Sequence, residues 1–476
     1  MGTQQIILQK YKKRLADIKK RCHGTFDITF RRLETNLGEV TIIFIDNMSN
    51  MDLITEHIVE PLITKHIAHH DIHYMMREII EVGIVEEVMT EEDAIQHILT
   101  GHTVVLFSFT DKYAYCETKS YSGRVIEEPM SEAVIKGSRE GFVENLEDNI
   151  CLIRRRVKSH KLKFEKLSIG SNSHTNVVLT YLEGEAPDQL LDYIRQRLCD
   201  MEVEYLPGSY YIDERLQEKR SFLDTIGYTE KPDVAVALMT EGRALVLADN
   251  SPFAITAPHF FIENFSVADD YYLNKYTQNY FKLIRWTAFF ISLLLPGIYL
   301  AIMTYHFKLV PTVLAFRLAV TRAGVPFPTV VEVGIMMFFF QVLREAGIRL
   351  PRPIGSALSI VGALILGDAA VGAGLTSQIT VLIIALSSIS LFLNPKLYGG
   401  VVLWSNIIIF FSSVLGLPGF YVGFILFCSH IAGLTSCGYP FLYPMGTFKK
   451  FGFKDLLIRG DLREVSGNIF KRGKKP

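Results

Sequence analysis

This 476-residue sequence has few cysteines, almost no net charge and, over residues 286–445, few charged residues of either sign. The six cysteines are scattered and form no C-x-x-C pair, so the sequence predicts neither a disulfide framework nor a zinc knuckle. Lysine and arginine number 49 against 50 aspartate and glutamate residues. This balance argues against a protein whose whole surface binds nucleic acid.

Motifs of catalysis are also missing. The sequence has no G-x-x-x-x-G-K-[ST], no G-x-G-x-x-G between a strand and a helix, no G-x-S-x-G and no H-E-x-x-H. We therefore expect no enzyme and no cofactor. Residues 1–21 are rich in lysine and lack the apolar stretch of a secretory signal, which predicts an N-terminal helix and a front part that stays in the cytoplasm.

Charged residues are distributed very unevenly. Residues 1–285 hold 33 basic and 44 acidic side chains, whereas residues 286–445 hold only 10 charged side chains of either sign. Residues 446–476 then carry 9 basic and 3 acidic side chains. This division predicts a water-soluble front, a membrane-embedded back and a basic cytoplasmic tail.

Strand, turn and helix patterns recur in the front part. The β-branched run at residues 40–45 and the helical spacing after it return about 137 residues later. The helix, glycine and strand pattern of residues 93–107 returns about 141 residues later. We predict an N-terminal helix over residues 1–25 and two similar α/β subdomains over residues 26–160 and 161–285. A chance alignment of two common patterns is the alternative.

Two side-chain clusters of the front part are candidate binding sites. His66, His69, His70 and His73 would share one face of a helix, although a solvated helix face is the more common meaning of such a cluster and we expect no metal. Arg154, Arg155 and Arg156 form a run of three basic residues that could bind an acidic partner surface or lipid headgroups. A solvated helix face is again the alternative.

The back part predicts a polytopic α-helical transmembrane domain over residues 286–445. Residues 286–307 carry no formal charge and predict a spanning helix. Several shorter apolar segments follow, which predict full crossings or re-entrant segments: residues 330–343, 354–375, 379–393, 401–415 and 417–434. Lysine and arginine near the membrane ends predict four or six crossings, with both termini in the cytoplasm.

One apolar segment is dominated by small residues and carries an acid. Residues 355–374 are rich in glycine, alanine and serine, which predicts close packing against other helices or other copies. Asp368 lies within this segment, and an acid inside a membrane usually faces water or a partner. The candidate pore and gating residues are accordingly Ser359, Gly362, Ala363, Asp368, Glu332 and Glu345. For each acid, a position at the level of the lipid headgroups is the alternative.

Several blocks of the sequence resemble the A subunit of GerA-type spore germinant receptors. The blocks keep a fixed order and run through both parts of the chain: Gly137 to Arg156, Glu230 to Phe253, Asp269 to Leu273, Pro326 to Glu332, Leu343 to Gly355 and Ser359 to Ser377. The chain departs from the family pattern at Gln378 and at residues 439–441, and these departures bear on the receptor subtype.

The resemblance implies a multi-pass protein of the inner spore membrane whose termini face the spore core. It implies a transporter-like B subunit and a lipoprotein C subunit as partners, contact with membrane lipids, and a homo-oligomer that conducts monovalent cations when a germinant binds. We expect no nucleic acid partner. The alternatives are a paralogous spore membrane protein that acts with the dipicolinic-acid channel, a secondary transporter, and a scaffold that conducts nothing.

Overall fold

The computed structural model describes residues 2–120, 129, 131–132, 134–349, 365–445 and 467–470. The chain divides into two compact units. We call the first the α/β unit, which comprises Met1–Glu218, Ile226–Pro258 and Asp461–Pro476. We call the second the helical unit, which comprises Lys219–Thr225 and His259–Gly460.

The α/β unit contains two five-stranded antiparallel sheets. The first has the spatial order β1-β2-β4-β5-β3, formed by β1 (Ile28–Thr35), β2 (Gly38–Ile45), β3 (Val85–Val88), β4 (Thr103–Phe107) and β5 (Tyr113–Cys116). The second has the order β6-β7-β9-β10-β8, formed by β6 (Leu162–Ile169), β7 (Thr175–Leu182), β8 (Gly227–Thr229), β9 (Ala244–Ala248) and β10 (Ala254–Ala257). The two orders are the same, as two similar α/β parts require.

Helices cover both faces of each sheet. The helices of the first half are α1 (Gly2–Arg21), α2 (Met51–Ile54), α3 (Glu60–Thr64), α4 (Ile72–Tyr74) and α5 (Glu91–Leu99), with π-helical turns after α2 and α4. Those of the second half are α6 (Leu146–Arg156), α7 (Asp188–Cys199), α8 (Ser209–Leu216) and α9 (Pro232–Thr240). Helix α1 packs with α5 on the first sheet, and α6 packs with α9 on the second.

This packing differs from the predicted border at residue 160. Helix α6 contributes Leu146, Ile150 and Ile153 to the core of the second sheet, so it opens the second half in the way that α1 opens the first. The sequence pattern had placed α6 in the first subdomain and α1 outside both. Which sheet a helix covers depends on tertiary packing, and the period of its own sequence does not contain that information.

The continuous apolar run of β2 follows from burial on both faces. Ile42 and Phe44 pack with α2, α3 and α4, whereas Ile43 and Ile45 pack with α1 and α5. Because side chains alternate between the faces of a strand, a strand covered on both sides shows no polar alternation.

The helical unit is built around one long helix. Its helices are α10 (Lys275–Tyr305), α11 (Thr312–Thr321), α12 (Thr329–Arg349), α13 (residues 365–372), α14 (Gln378–Leu391), α15 (Tyr398–Leu415) and α16 (Leu417–Ala432). Helix α10 continues through Pro296 and packs against α12, α14, α15 and α16. A short hairpin of β11 (Thr435–Ser436) and β12 (Tyr439–Pro440) follows.

Within the described residues, two helices are long and apolar enough to cross a membrane. These are α10 and the stretch Pro395–Leu415, which includes α15. Helices α11, α14 and α16 are apolar but shorter. The predicted apolar segments lie in helices wherever they are described, and α11 is an additional helix that the pattern did not predict. Four or six crossings therefore remain a prediction.

Candidate functional site

The helical unit carries apolar side chains on its outside. Large apolar residues with more than half of their surface exposed occur on nearly every helix: Leu283, Val313, Phe316, Phe338, Ile365, Leu382, Ile389, Phe410, Tyr421 and Ile425. Polar residues lie inside instead: Ser292, Glu332, Thr380, Ser387, Ser390, Asn394, Ser405 and Ser412 are all buried. A surface of this kind suits a lipid environment better than water.

Glu332, in the first turn of α12, is one of the charged residues in this interior, as are Asp270 and Arg285, which pair with each other. The side chain of Glu332 is fully buried. Oε1 accepts a hydrogen bond from Nη2 of Arg322 at 3.1 Å, and Oε2 accepts from the backbone N–H of Ser377 at 3.0 Å and from Oγ1 of Thr380 at 3.0 Å. Oγ1 of Thr376 also donates to Oε2, at a longer distance of 3.4 Å. Because every one of these neighbours donates, the carboxylate is well compensated.

Further hydroxyl groups extend this network to α10. The hydroxyls of Tyr299 and Ser377 each lie 2.9 Å from Oγ1 of Thr380, which itself donates to Glu332. Ser377 also caps α14, because its Oγ accepts from the N–H of Thr380. The network, which we call the Glu332 network, therefore joins α10, α12 and α14 with Arg322 at the end of α11.

Two of the sequence blocks meet at this point. Glu332 ends the block from Pro326, and Ser377 ends the block from Ser359, and the structure brings the two within hydrogen-bond distance. Sequence reasoning missed Arg322, Tyr299 and Thr380. A signal for Arg322 was present, because it is an arginine ten positions before an acid in an otherwise almost uncharged stretch.

The other two predicted acids are exposed. Asp368 lies on α13, and within the described part of the chain it has no hydrogen-bond or ion-pair partner. Glu345 pairs with Arg349 one turn later on α12, with Nη2 to Oε1 at 2.5 Å, at a side-chain exposure of 56%. Ser359, Gly362 and Ala363 lie outside the described residues.

The three arginines at the end of α6 were predicted to contact a partner or lipid headgroups, and the structure differs from this prediction at one of them. Arg154 is 1% exposed, and its Nε and Nη2 donate to Oδ2 of Asp27 at 3.1 and 2.9 Å. This corrects the prediction for Arg154, because a side chain enclosed in this way cannot contact a partner. Arg155 and Arg156 are partly exposed and both pair with Glu140.

Of the four histidines of the cluster, only His73 lies on a helix, in α4. Helix α3 ends at Thr64 and the chain is irregular from His66 to Asp71, so the four rings do not share a helix face. The side chain of Asn36 holds this segment, since it donates to the carbonyl of Ile67 at 2.8 Å and accepts from its N–H at 3.2 Å. No group of metal-ligating side chains occurs among the residues that the structure describes.

A cavity of about 840 Å³ lies in the α/β unit beside the start of α6. Five carboxylates and one lysine contribute to its lining: Glu144, Glu147, Asp148, Glu230, Asp249 and Lys166. Its described lining contains no serine, cysteine or histidine.

Comparisons with known proteins agree over nearly the whole chain. The family model for the Bacillus/Clostridium GerA spore germination protein matches residues 16–468. Spore germination protein KA of Bacillus subtilis (strain 168) is 33% identical over 457 residues, which cover 94% of this chain and 84% of that protein. Spore germination protein GerLA of Bacillus cereus is 29% identical over 457 residues, covering 94% and 92%.

The chain is also similar to a second Bacillus subtilis protein and to one solved structure. The uncharacterized membrane protein YfkQ of Bacillus subtilis (strain 168) is 33% identical over 455 residues, covering 94% of this chain and 88% of that protein. The crystal structure of the N-terminal domain of the A subunit of the Bacillus megaterium spore germinant receptor GerK3 matches with a TM-score of 0.41 and 21% identity, covering 52% of this chain and 94% of that domain. Because the family model spans most of the sequence, the chain belongs to the GerA family of spore germination proteins.

Proposed function

We propose that this chain is the A subunit of a germinant receptor in the inner spore membrane, and that several copies form a cation channel that opens when a germinant binds the receptor. Asp368 carries the proposal, as an exposed carboxylate without a described partner in the apolar unit. A carboxylate that faces lipid costs on the order of 2.5–3.5 kcal/mol. In a membrane, Asp368 therefore faces water or a neighbouring copy.

The candidate residues take different roles in this proposal. Asp368 lines the aqueous path together with the small-residue segment that holds Ser359, Gly362 and Ala363, and Glu345 lies near a mouth of the path. Glu332 is compensated by Arg322, so we assign it to gating, where it fixes α11, α12 and α14 against one another.

The partners in this proposal are a transporter-like B subunit, a lipoprotein C subunit and further copies of this chain. A germinant on a partner subunit shifts the ring from closed to open only by its difference in affinity for the two states. Arg155 and Arg156 are the candidate contacts to a partner or to lipid headgroups. No cofactor has a role.

The proposed topology is multi-pass, with both termini on the side of the spore core. Exposed aromatic residues at the start of α10 support a membrane boundary there, because Tyr276 is 82% and Tyr280 63% exposed. Two natural cysteines test this arrangement, since Cys199 is exposed on the α/β unit and Cys428 is exposed on α16. In membrane vesicles a water-soluble maleimide should label Cys199 from one side only and should leave Cys428 unmodified until detergent is added. Rapid labelling of Cys428 in intact vesicles would contradict a lipid-facing α16.

The channel itself is tested with Asp368→Asn and with Asp368→Glu, which keeps the charge. In liposomes that contain the full receptor, the asparagine variant should reduce potassium flux by about tenfold or more, since each 1.4 kcal/mol of lost electrostatic stabilisation is a factor of ten. The glutamate variant should retain most of the flux. Glu202→Gln, on the surface of the α/β unit, is the control. Unchanged flux with Asp368→Asn would remove Asp368 from the pathway.

The same liposomes separate the other classes of function. Saturable uptake of one solute would indicate a carrier, and ohmic currents a channel. Assembly with the partners but no flux of any kind would indicate a scaffold.

A paralogous membrane protein acting with the dipicolinic-acid channel is the second candidate. Sequence identity ranks neither candidate first, because the chain is 33% identical both to spore germination protein KA and to a relative named only as a membrane protein. Spores that lack the gene decide between the two. Loss of potassium release on nutrient addition supports the receptor, whereas normal potassium release with slow dipicolinic acid release supports the paralogous branch.

A further inference from the structure

The last described residues of the chain lie on the α/β unit. Residues 467–470 belong to this unit, although the chain reaches them from the helical unit, which ends at Gly460. All four residues are half-buried. The basic tail therefore includes a segment with a defined position on the α/β unit.

Asn468 makes the central contact of this segment. Its Nδ2 donates to the backbone oxygen of Glu185 at 2.9 Å and to Oε2 of the same residue at 2.7 Å. Its Oδ1 accepts from the N–H of Phe470 at 2.8 Å, and the N–H of Ile469 donates to the carbonyl of Glu241 at 2.9 Å. Both ends of the Asn468 amide are therefore hydrogen-bonded.

Gly242 makes room for the segment. Its φ of +98° is a conformation that side chains other than glycine rarely adopt. A Cβ atom at this position would lie 2.8 Å from Nδ2 of Asn468, 2.9 Å from Cδ2 of Phe470 and 2.9 Å from the backbone oxygen of Glu185. The glycine therefore allows both the tail and the local chain at Glu185 to approach its backbone.

The first half of the α/β unit has the same turn but fills it differently. Gly101 follows α5 as Gly242 follows α9, with a φ of +92°. There Ser49 of the loop after β2 donates its Oγ–H to the carbonyl of Gly101 at 3.1 Å, and Met48 packs against the glycine. A local loop covers the first turn, whereas the tail shares in covering the second.

Acidic residues border this site, but two of them have basic partners of their own. Glu183 pairs with Lys163, and Glu241 pairs with Arg243. The carboxylate of Glu185 accepts a hydrogen bond from Asn468. Hydrogen bonds to Asn468 and Ile469, rather than net charge, therefore hold this segment.

We propose that the turn at Gly242, with Glu185 and Glu241, is a docking site for the chain's own C-terminal tail, which it recognises by Asn468 and Phe470. The docked tail holds residues 467–470 on the α/β unit, of which they are part. Four half-buried residues held by a few hydrogen bonds open more readily than a core element, so the contact acts as a reversible latch. This inference does not depend on the proposed channel.

Hydrogen exchange on the full chain in detergent, read by mass spectrometry, tests the latch. Asn468→Asp removes the donor and places a second negative charge beside Glu185. Exchange of the amides at residues 467–470 should rise by roughly 10- to 100-fold, the effect expected from losing two hydrogen bonds. Asn172→Asp, an exposed asparagine of the same unit, is the matched control and should leave this exchange unchanged.

A second substitution identifies the partner residue. Glu185→Gln in the Asn468→Asp background removes the repulsion and supplies an amide donor, so protection should return in part. Wild-type protein that exchanges at residues 467–470 like an unstructured peptide would overturn the proposal. Failure of Glu185→Gln to restore any protection would overturn the assignment of Glu185.

A cross-linking experiment separates a chain's own tail from that of a second copy. Glu183→Cys and Gly467→Cys, which leave Asn468 and Glu185 in place, are combined in a chain in which Cys199 and Cys428 are serine, and a short bismaleimide is added. A cross-link within one chain supports the proposal. Cross-linked dimers without the intramolecular product would show that the site takes the tail of another copy, which would overturn docking within one chain.

Discussion

The α/β unit and the helical unit distribute polar and apolar side chains in opposite ways. In the α/β unit both faces of each sheet are apolar and covered by helices, and most charged residues of the chain lie in residues 1–285. In the helical unit large apolar side chains are exposed and serines and threonines are buried. This difference supports the proposal that the helical unit is embedded in a membrane.

Each unit nevertheless contains a buried carboxylate that is paired with an arginine, and in the helical unit Asp270 forms a second such pair with Arg285. Asp27 and Arg154 in the α/β unit are both at most 1% exposed, whereas Glu332 in the helical unit is fully buried and Arg322 keeps 24% of its side chain exposed. A buried charge without its partner is costly. The two pairs therefore allow the two interiors to be compared by equivalent substitutions.

The largest effect is expected from Arg154→Met. Asp27 would then stay buried without a counter-charge, and removing one partner of such a pair costs about 3–5 kcal/mol in the free energy of unfolding. The thiol of Cys116 reports the opening of this unit, because it is fully buried and burial raises its pKa to about 12. Its rate of modification in increasing urea gives the stability. Arg155→Met, at a partly exposed position, is the control and should change stability by about 0.5 kcal/mol or less.

Glu332→Gln should have the next largest effect. The amide cannot accept from Arg322, Ser377 and Thr380 together, so at least one buried donor loses its acceptor, at a cost of about 1–3 kcal/mol. Both tryptophans, Trp286 and Trp404, lie in the helical unit, so their fluorescence follows its unfolding alone. Glu345→Gln should cost about 1 kcal/mol or less, because its ion pair is exposed. Equal effects of the two substitutions would contradict a structural role for the Glu332 network.

Local sequence patterns predicted most elements of both units. The strands at residues 40–45 and 177–182 and the helices after them are where period and β-branching placed them, because these segments bury apolar side chains at regular intervals. The prediction that the four histidines share a helix face was wrong. The conformation of their segment depends on the hydrogen bonds between Asn36 and Ile67, which are 31 residues apart in the sequence. Contacts of that range leave no trace in local periodicity.

The candidate site was harder to predict than the fold. Arg154 follows Leu146 and Ile150 at intervals of four residues, so it shares the buried face of α6, and this spacing was available in the sequence. The identity of its partner was not, since Asp27 is 127 residues away. The same limit applies to Glu332 and Ser377, which meet only when α12 and α14 pack together.

Two neighbouring glycines at the start of α15 test how closely the helical unit is packed. A Cβ atom at Gly400 would lie 2.4 Å from Leu223 and 2.8 Å from the backbone oxygen of Phe222, whereas nothing lies within 4 Å of one at Gly399. Gly400→Ala should therefore destabilise the unit by about 1–3 kcal/mol. Gly399→Ala should stabilise it by about 0.5–1 kcal/mol, because alanine favours the helix. Tryptophan fluorescence during urea unfolding measures both, and a stabilising Gly400→Ala would show that α15 is packed loosely.

The smallest effect concerns an ion pair at the surface of the α/β unit. Arg195 donates to both carboxylate oxygens of Glu165, at 2.8 and 2.7 Å, and this lowers the pKa of Glu165. A lowered pKa means that the pair contributes its full stability above the ordinary glutamate pKa, about 4.3, and loses it as the pH falls through the lower folded value. Glu165→Gln should cost about 1 kcal/mol or less at pH 7, and the difference from wild type should shrink below pH 4.

Glu202→Gln is the control for this pair, because Glu202 is exposed on the same unit. Its stability should follow the wild-type pH dependence throughout. If Glu165→Gln kept the same deficit at pH 3 as at pH 7, the effect would come from the packing of the side chain beside Tyr181 rather than from its charge.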